Sequence, residues 1–173
     1  ATMVAAVAHR DLDFGFGGVR MVDATGAAVD ELAHAGAFDA RCMQSGINWF
    51  EAAGFCFLNG NPLVAAGNLF VRRAFYLQVG GLASMKFHAE WDFCLRALEL
   101  SETCVDLAPT YFLPVSGPLA AEQEALRVRE GIAMLRHHVE RALNQTYANP
   151  WAASYAAWGP VFMQAYGMTE TAG

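Results

Sequence analysis

Charged side chains are scarce in this sequence, and basic ones are the scarcer kind. Only 16% of the 173 residues are charged, with 11 Lys and Arg against 17 Asp and Glu, for a formal net charge of -6. The basic residues are scattered, so the chain lacks the basic stripe that holds a phosphate backbone, which argues against nucleic acid as a partner. A hydrophobic content of 55% in a chain of this length predicts a sizeable buried core in one domain, or most of one.

Paired cysteines and long apolar runs are also missing. The chain has no C-x-x-C pair and is too long to need disulfide staples, which predicts a reducing, cytoplasmic compartment for its four cysteines, Cys42, Cys56, Cys94 and Cys104. No run of about 18 apolar residues is free of charge, and no basic region with a following apolar run begins the chain, so we expect neither a membrane span nor a signal peptide. Because the sequence starts at Ala1 without an initiator methionine, we expect a fragment of a longer protein.

Local patterns predict both strands and helices in the first half of the chain. Apolar runs at 16–22 and 27–29 flank the polar group D-A-T-G, which is typical of a β-hairpin. Apolar residues within 38–58 follow roughly helical spacing, which favours one helix or two shorter ones. The stretch 64–71 is rich in strand formers and predicts a strand.

The second half is predicted to be mainly helical. A short helix at 72–79 should end at the glycine pair 80–81, and a second helix should span 89–100. Prolines interrupt the β-rich stretch 105–115, which suits a short edge strand. The periodicity of residues 119–143 predicts an amphipathic helix.

A division of the chain is indicated by the sequence S-G-P at 116–118. It separates a body, residues 1–115, from a C-terminal extension, residues 116–173. From Asn149 onward the extension is too aromatic for a solvated linker. We expect this tail to pack on the body, with a contact in a homo-oligomer as the alternative.

One ungapped segment, residues 60–96, carries three motifs at fixed intervals. They are G-N-L-F-V-R-R at 67–73, G-G at 80–81 and A-E-W-D-F-C-L-R at 89–96. This combination resembles glycosyltransferase family 2, in which a strand ending in S-N-L-F-x-R-R precedes a helix, a Gly-Gly turn and H-D-W-D-F-x-L-R. The resemblance extends more weakly over 16–113. It implies an α/β fold, namely the C-terminal, acceptor-side part of a GT-A domain with a mixed sheet and flanking helices.

The resemblance implies transfer of a sugar from a nucleotide-sugar donor to a hydroxyl of a glycan or other acceptor, with inversion. Direct displacement at an anomeric carbon needs a carboxylate that takes the proton of the attacking hydroxyl. In the family the acidic residue before Trp-Asp is this base, which implies Glu90 as the base, one methylene longer than the usual Asp, and Asp92 as its support. Gly67 and Asn68 are implied to line the acceptor side. Trp91 is implied either to stack on a sugar or to pack in the core.

Donor binding in GT-A enzymes uses an N-terminal half and a D-x-D motif that binds a divalent cation. The resemblance therefore implies Mg²⁺ or Mn²⁺ as cofactor of the complete enzyme. Here the one D-x-D string, with Asp11 and Asp13, lies directly before the predicted hairpin and without nucleotide-binding strands ahead of it, so we favour a solvated turn over a metal site. Two roles remain open for Arg72 and Arg73: structural ion pairing, or binding of the donor diphosphate. We expect the chain alone not to bind a nucleotide sugar tightly.

Other patterns fit known sites less well. H-A-E at 88–90 matches zinc-dependent deaminases, but the P-C-x-x-C string that supplies two more zinc ligands is missing. His137 and His138 are about 100 degrees apart around a helix and cannot share a metal as an i, i+4 pair does, so a partly exposed helix surface explains them. The alternative to a transferase is a non-catalytic binding module or a degenerate glycosyltransferase remnant, in which Glu90 is only a helix-start carboxylate.

Overall fold

The secondary structure alternates between strands and helices. The computed structural model describes residue 5 and residues 11–29, 53–114, 119–144, 148–149, 151–152 and 154. These residues form, in order, β1 (Phe14–Val22), α1 (Cys56–Asn59), β2 (Leu69–Val71), α2 (Arg73–Val79), α3 (Ala89–Leu98), β3 (Thr103–Pro114) and α4 (Ala121–Asn144), with short 3₁₀ helices at Ala53–Phe55 and Ala66–Asn68. Within these ranges no helix has the length and apolar character needed to cross a membrane.

Strand β1 is the centre of a three-stranded sheet with the order β2-β1-β3. It pairs antiparallel with β2, where Phe14 lies opposite Val71, and parallel with β3, where Phe14 lies opposite Thr103. A parallel pair cannot be joined by a tight turn, and the chain between β1 and β3 passes through α1, β2, α2 and α3. The sheet is therefore mixed, and the predicted α/β class is confirmed.

The residues of β1 are almost all buried because the strand has neighbours on both sides. Phe14 stacks on Phe75 of α2 at a centroid distance of 5.9 Å, and Phe16, on the same face of the strand, meets another ring edge-on. On the other face Gly15 lies so close to β3 that a Cβ at this position would stand 2.5 Å from the main-chain oxygen of Cys104. A residue without a side chain at position 15 therefore lets the two parallel strands approach.

A tight turn follows β1, as the predicted hairpin requires. The Asp23 carboxylate accepts hydrogen bonds of 2.6 to 3.0 Å from the main chain and hydroxyl of Thr25 and from the main chain of Ala27. Gly26 has a φ of 84°, a conformation that favours glycine. The returning chain forms a single β-bridge at Ala28 rather than a second strand.

The predicted strand at 64–71 is wrong over its first five residues. Val64 has a φ of 64°, Ala66–Asn68 form a 3₁₀ helix, and the strand begins only at Leu69. The reason lies in Asn68, whose side chain, rather than its main chain, bonds to β1. The backbone before β2 therefore turns, and the Asn68 side chain bonds to the main chain of Gly17 in β1.

Helices α2, α3 and α4 agree with the predicted helices to within two residues at each end. Helix α2 ends at Gly80 with a φ of 94°, and the N–H groups of Gly80 and Gly81 bond back to the carbonyls of Leu77 and Tyr76. This left-handed glycine ending is the local signal that the sequence showed. Strand β3 agrees with the predicted edge strand, although it is longer.

One hydrophobic core joins the sheet to α1, α2, α3 and α4. Its members include Phe57 of α1, Phe75 of α2, Phe93 of α3, and Met134 and Leu135 of α4. Because α4 contributes to the same core, it packs on the body rather than extending away from it.

Two sequence predictions fall largely outside the described residues. Residues 38–52 of the helix predicted at 38–58 lie outside the described residues. Most of the aromatic tail, beyond residue 154, lies outside them as well. The described start of the tail packs back on the body. The Asn149 side chain donates a hydrogen bond of 2.7 Å to the Leu98 carbonyl, and Trp151 packs against the core.

Candidate active site

Glu90 lies in the first turn of α3 and is partly exposed. Its carboxylate forms no hydrogen bond or ion pair with any residue of the described ranges. A carboxylate in this position is close to the partial positive charge of the helix end, and a helix holds it more firmly than a loop would. Helix α3 thus fixes the position of Glu90, and among the described residues no group engages its carboxylate.

Asp92, two residues further along α3, is in the opposite situation. Its side chain is only 12% exposed. Oδ2 accepts a hydrogen bond from Arg96 Nε at 2.9 Å and lies 2.8 Å from Arg96 Nη2, and Oδ1 lies 3.0 Å from His138 Nε2 of α4. Burial raises the pKa of Asp92, but the hydrogen bonds from His138 and Arg96 outweigh it and hold the pKa below its ordinary value. Both carboxylate oxygens are therefore engaged, and Asp92 links α3 to α4.

Arg96 extends this network to the turn that follows α2. Its guanidinium donates hydrogen bonds to the carbonyls of Val79 at 2.6 Å and Gly81 at 2.7 Å, in addition to its pair with Asp92. The i, i+4 spacing of Asp92 and Arg96 on one helix is the sequence signal for this pair. The result is that the Gly-Gly turn of the family pattern is bonded to the same helix that carries Glu90.

The exposed helix surface predicted for the histidine pair is correct for His137 and wrong for His138. His138 is 8% exposed and lies between Asp92 of α3 and Glu99, the residue directly after α3, with Nδ1 3.9 Å from Glu99. Adjacent helix positions differ by about 100 degrees, so only one of the two rings faces α3. Burial lowers the pKa of His138, but its hydrogen bond with Asp92 and the nearby carboxylate of Glu99 outweigh it and raise the pKa.

The raised pKa of His138 makes the stability of the fold depend on pH. Because the folded-state pKa exceeds the unfolded value of about 6.5, the charged ring stabilises the protein fully below that value and less as pH rises through the folded pKa. We expect the free energy of unfolding to fall as pH rises from about 6.5 into the alkaline range, by at most about 1.4 kcal/mol per pH unit from this residue. Urea denaturation across this range measures the effect. His138→Gln should weaken the pH dependence of the free energy of unfolding, whereas the control His137→Gln should leave it as in the wild type. An unchanged pH dependence in His138→Gln would contradict the role of His138.

Asn68, predicted to line the acceptor side, has a fully buried side chain. Its amide accepts a hydrogen bond from the Gly17 N–H at 3.1 Å and donates to the carbonyls of Gly17 at 2.8 Å and Leu63 at 3.1 Å. The pairing of β1 with β3 is irregular between Gly17 and Val19, so the Asn68 amide binds the main chain where the ladder is disturbed. An acceptor could reach this amide only by displacing these contacts.

Trp91 and Gly67, the other two residues implied in acceptor binding, differ in exposure. Trp91 is 8% exposed, packs in the core and donates a hydrogen bond from Nε1 to the Phe57 carbonyl at 2.9 Å. Of the two roles predicted for Trp91, sugar stacking and core packing, the structure shows core packing. Gly67 is exposed and lies under Tyr111 of β3, whose hydroxyl would be 2.5 Å from a Cβ at this position.

The D-x-D residues are held by Arg72 at the start of α2. The Arg72 guanidinium lies 3.1 Å from Asp11 and 3.5 Å from Asp13, and its main-chain N–H bonds to the Asp13 carbonyl at 2.9 Å. A divalent cation between these carboxylates would meet the positive charge of Arg72, so the pair does not fit a metal site in this arrangement. Among the described residues no group of three or more His, Cys, Asp or Glu side chains is placed to hold a metal ion.

Sequence reasoning missed the residues of α4 that contact α3 and the residues directly before and after it. These are Glu130, His138 and Arg141, whose Nη2 lies 2.8 Å from Glu99. Their partners are about 40 residues earlier in the chain. No local spacing links residues so far apart, and an amphipathic pattern places such polar residues on the solvent side.

The motifs that resemble glycosyltransferases coincide with definite elements. G-N-L-F-V-R-R at 67–73 covers the end of the 3₁₀ helix, β2 and the start of α2, and A-E-W-D-F-C-L-R at 89–96 covers the larger part of α3. Comparison with protein-family models, with curated proteins and with solved structures finds no match for this chain.

Proposed function

We propose that this chain supplies the acceptor-side base of an inverting glycosyltransferase of the GT-A, family 2 type. The observation that carries the proposal is the partly exposed Glu90, which is fixed on the first turn of α3 and has no hydrogen-bonding partner among the described residues. The motif resemblance puts the base at the same residue. A carboxylate that is held on a rigid element and bound by none of the described residues suits general-base catalysis.

The proposed step transfers one proton and exchanges two bonds at carbon. Glu90 takes the proton from the acceptor hydroxyl while that oxygen forms a bond to the anomeric carbon of the donor sugar. On the opposite side of the same carbon, the bond to the diphosphate oxygen breaks, and the nucleoside diphosphate leaves with the electron pair. Because the new bond forms on the side opposite the broken one, the configuration at carbon inverts.

Asp92 suits a supporting role and not the role of the base. Both of its oxygens are engaged by Arg96 and His138, and its lowered pKa makes it a weaker proton acceptor. These contacts attach α3 to α4 and to the turn after α2. A helix fixed in this way holds Glu90 in one place relative to an incoming hydroxyl, and accurate placement contributes strongly to rate.

Removal of the proton-accepting group tests the proposal directly. In the full-length natural protein, Glu90→Gln should lower the rate of sugar transfer by about 10² to 10⁴-fold, because the amide cannot take up the proton. The stability should change by less than about 0.5 kcal/mol, since no contact with the described residues is lost. Release of nucleoside diphosphate from UDP-sugars and GDP-mannose, with monosaccharide and oligosaccharide acceptors, measures transfer.

Glu122→Gln is the matched control for this experiment. Glu122 is an exposed residue of α4, and the substitution makes the same change in charge and shape. It should keep wild-type activity. Full activity in Glu90→Gln, measured beside this control, would exclude Glu90 as the base.

A non-catalytic binding module is the second candidate, and the buried state of the neighbouring residues favours it. Asn68, Trp91 and Asp92 all have structural partners, and Arg72 occupies the D-x-D pair. In a degenerate remnant of the fold such residues persist for stability alone. This candidate predicts no transfer with any donor and no difference between the wild type and Glu90→Gln.

A further inference from the structure

The residues directly before α3 are bound by a carboxylate from α4. Glu130 Oε1 accepts hydrogen bonds from the main-chain N–H groups of Phe87 at 2.8 Å and His88 at 3.0 Å, and Oε2 accepts one from Lys86 at 3.0 Å. Consecutive N–H groups of this kind form a concave site that favours an anion. Burial raises the pKa of Glu130, but the three donors outweigh it and hold the pKa below its ordinary value, so the charged carboxylate is the bound form.

A second contact joins the same two segments. His88 Nε2 lies 2.9 Å from the main-chain oxygen of Arg127, on the turn of α4 that also carries Glu130. Gly131 lies next to this ring, and a Cβ at position 131 would stand 3.0 Å from His88 Nε2. Glycine at this position therefore lets α4 approach the start of α3 closely.

The start of α3 depends on these external contacts. His88 is the N-cap residue, yet its side chain caps no N–H group of its own helix. Its main-chain oxygen accepts the hydrogen bond of 2.8 Å from the Asp92 N–H that closes the first turn. Glu90 lies within that turn, so the position of its backbone, from which the carboxylate extends, depends on where His88 is held.

We propose that Glu130 is a positioning residue for Glu90: its carboxylate fixes main-chain residues 86–88 and thereby the first turn of α3. This inference rests on the proposed function, because it assigns to Glu130 an effect on the base of that reaction. The other polar contacts between α4 and α3 lie further along, where His138 meets Asp92 and Arg141 meets Glu99. Glu130 thus acts at the end of α3 that carries Glu90, while the other pairs hold the remainder.

Amide hydrogen exchange tests the contact itself without any assay of activity. In Glu130→Ala, exchange at residues 86–88 should become faster by on the order of tenfold or more, relative to exchange in the middle of α3. Glu130→Gln keeps the length and one carbonyl oxygen and should give a smaller increase. The matched control Glu122→Ala, at an exposed position of the same helix, should exchange as the wild type does. Unchanged exchange at 86–88 in Glu130→Ala would overturn the inference.

Steady-state kinetics of the full-length natural protein test the effect on Glu90. Glu130→Ala should lower kcat by about 10 to 100-fold, because a small displacement of a catalytic group is costly, and should leave the KM for the acceptor within about threefold. Glu130→Gln should recover part of kcat, and Glu122→Ala should have wild-type constants.

The outcomes separate the positioning role from the proposed function. Wild-type kcat in Glu130→Ala, together with an inactive Glu90→Gln, would overturn the positioning role and leave the proposed function intact. Full activity in Glu90→Gln would overturn the function and with it the catalytic part of the inference, whereas the exchange rates at 86–88 would still decide whether Glu130 holds the loop.

Discussion

Asp92→Ala is expected to lower the free energy of unfolding by about 3 to 5 kcal/mol, the range found when one partner of a buried ion pair is removed. The Asp92 carboxylate is the common partner of the Arg96 guanidinium and the His138 ring, and all three side chains are less than one-fifth exposed. Without it, two cationic groups would lose the carboxylate that compensates their burial. Equilibrium urea denaturation at about pH 6, where His138 is charged, measures the loss.

A double-mutant cycle shows whether the energy comes from the contact between α3 and α4. Asp92→Ala and His138→Ala should be less than additive in combination, with a coupling energy of about 0.5 to 3 kcal/mol. Glu122→Ala, which removes an exposed carboxylate from α4, should change stability by less than about 0.5 kcal/mol. Additivity within error would mean that Asp92 and His138 stabilise the fold independently, contrary to the 3.0 Å contact.

Asn68→Ala should have the second large effect, a loss of about 2 to 5 kcal/mol. The substitution removes three hydrogen bonds between buried groups, two to the Gly17 main chain and one to Leu63. Each buried polar group that loses its partner costs about 1 to 3 kcal/mol, and relaxation recovers part of the sum. Thermal and urea denaturation of the purified chain measure the difference.

The matched control for Asn68→Ala is Asn144→Ala. Asn144 is exposed at the end of α4 and makes one hydrogen bond, to the Glu140 carbonyl four residues earlier, so its removal should cost less than about 0.5 kcal/mol. Wild-type stability in Asn68→Ala would contradict a buttressing role for the amide. If the large loss is found, any loss of activity in that variant reports on folding and gives no evidence for contact with an acceptor.

The helices show how much of this fold local patterns can predict. Helix α4 is long and amphipathic, and α2 ends at a glycine with a positive φ, so both leave their marks within a few consecutive residues. The hairpin turn after β1 likewise follows from Asp23 and Gly26, which act on residues within four positions. In each case the interactions that define the element lie within the short sequence segment that carries its pattern.

Strand β2 and the candidate site show where local patterns fail. Residues 64–68 have the composition of a strand, yet they turn because the Asn68 side chain bonds to β1, 51 residues earlier. Asp92 stood out as an acidic residue beside the expected base, and its partner Arg96 follows at helical spacing. For its other partner, His138, the sequence predicts an exposed helix surface, because the sequence alone does not show which side of α4 faces α3.

By itself the sequence determined the places of α2, α3 and α4 and the position of Glu90 at a helix start, while the α/β class was implied by the motif resemblance. Those features depend on hydrophobic periodicity, on glycine at helix ends and on residue types a few positions apart. Only the tertiary structure decided which carboxylates are engaged by other described residues and which one is not. It pairs Asp92 with Arg96 and His138, Glu130 with the N–H groups before α3, and leaves Glu90 without a described partner. The physical reason is that burial and long-range hydrogen bonds set the charge and accessibility of a carboxylate, and both arise only when distant segments pack together.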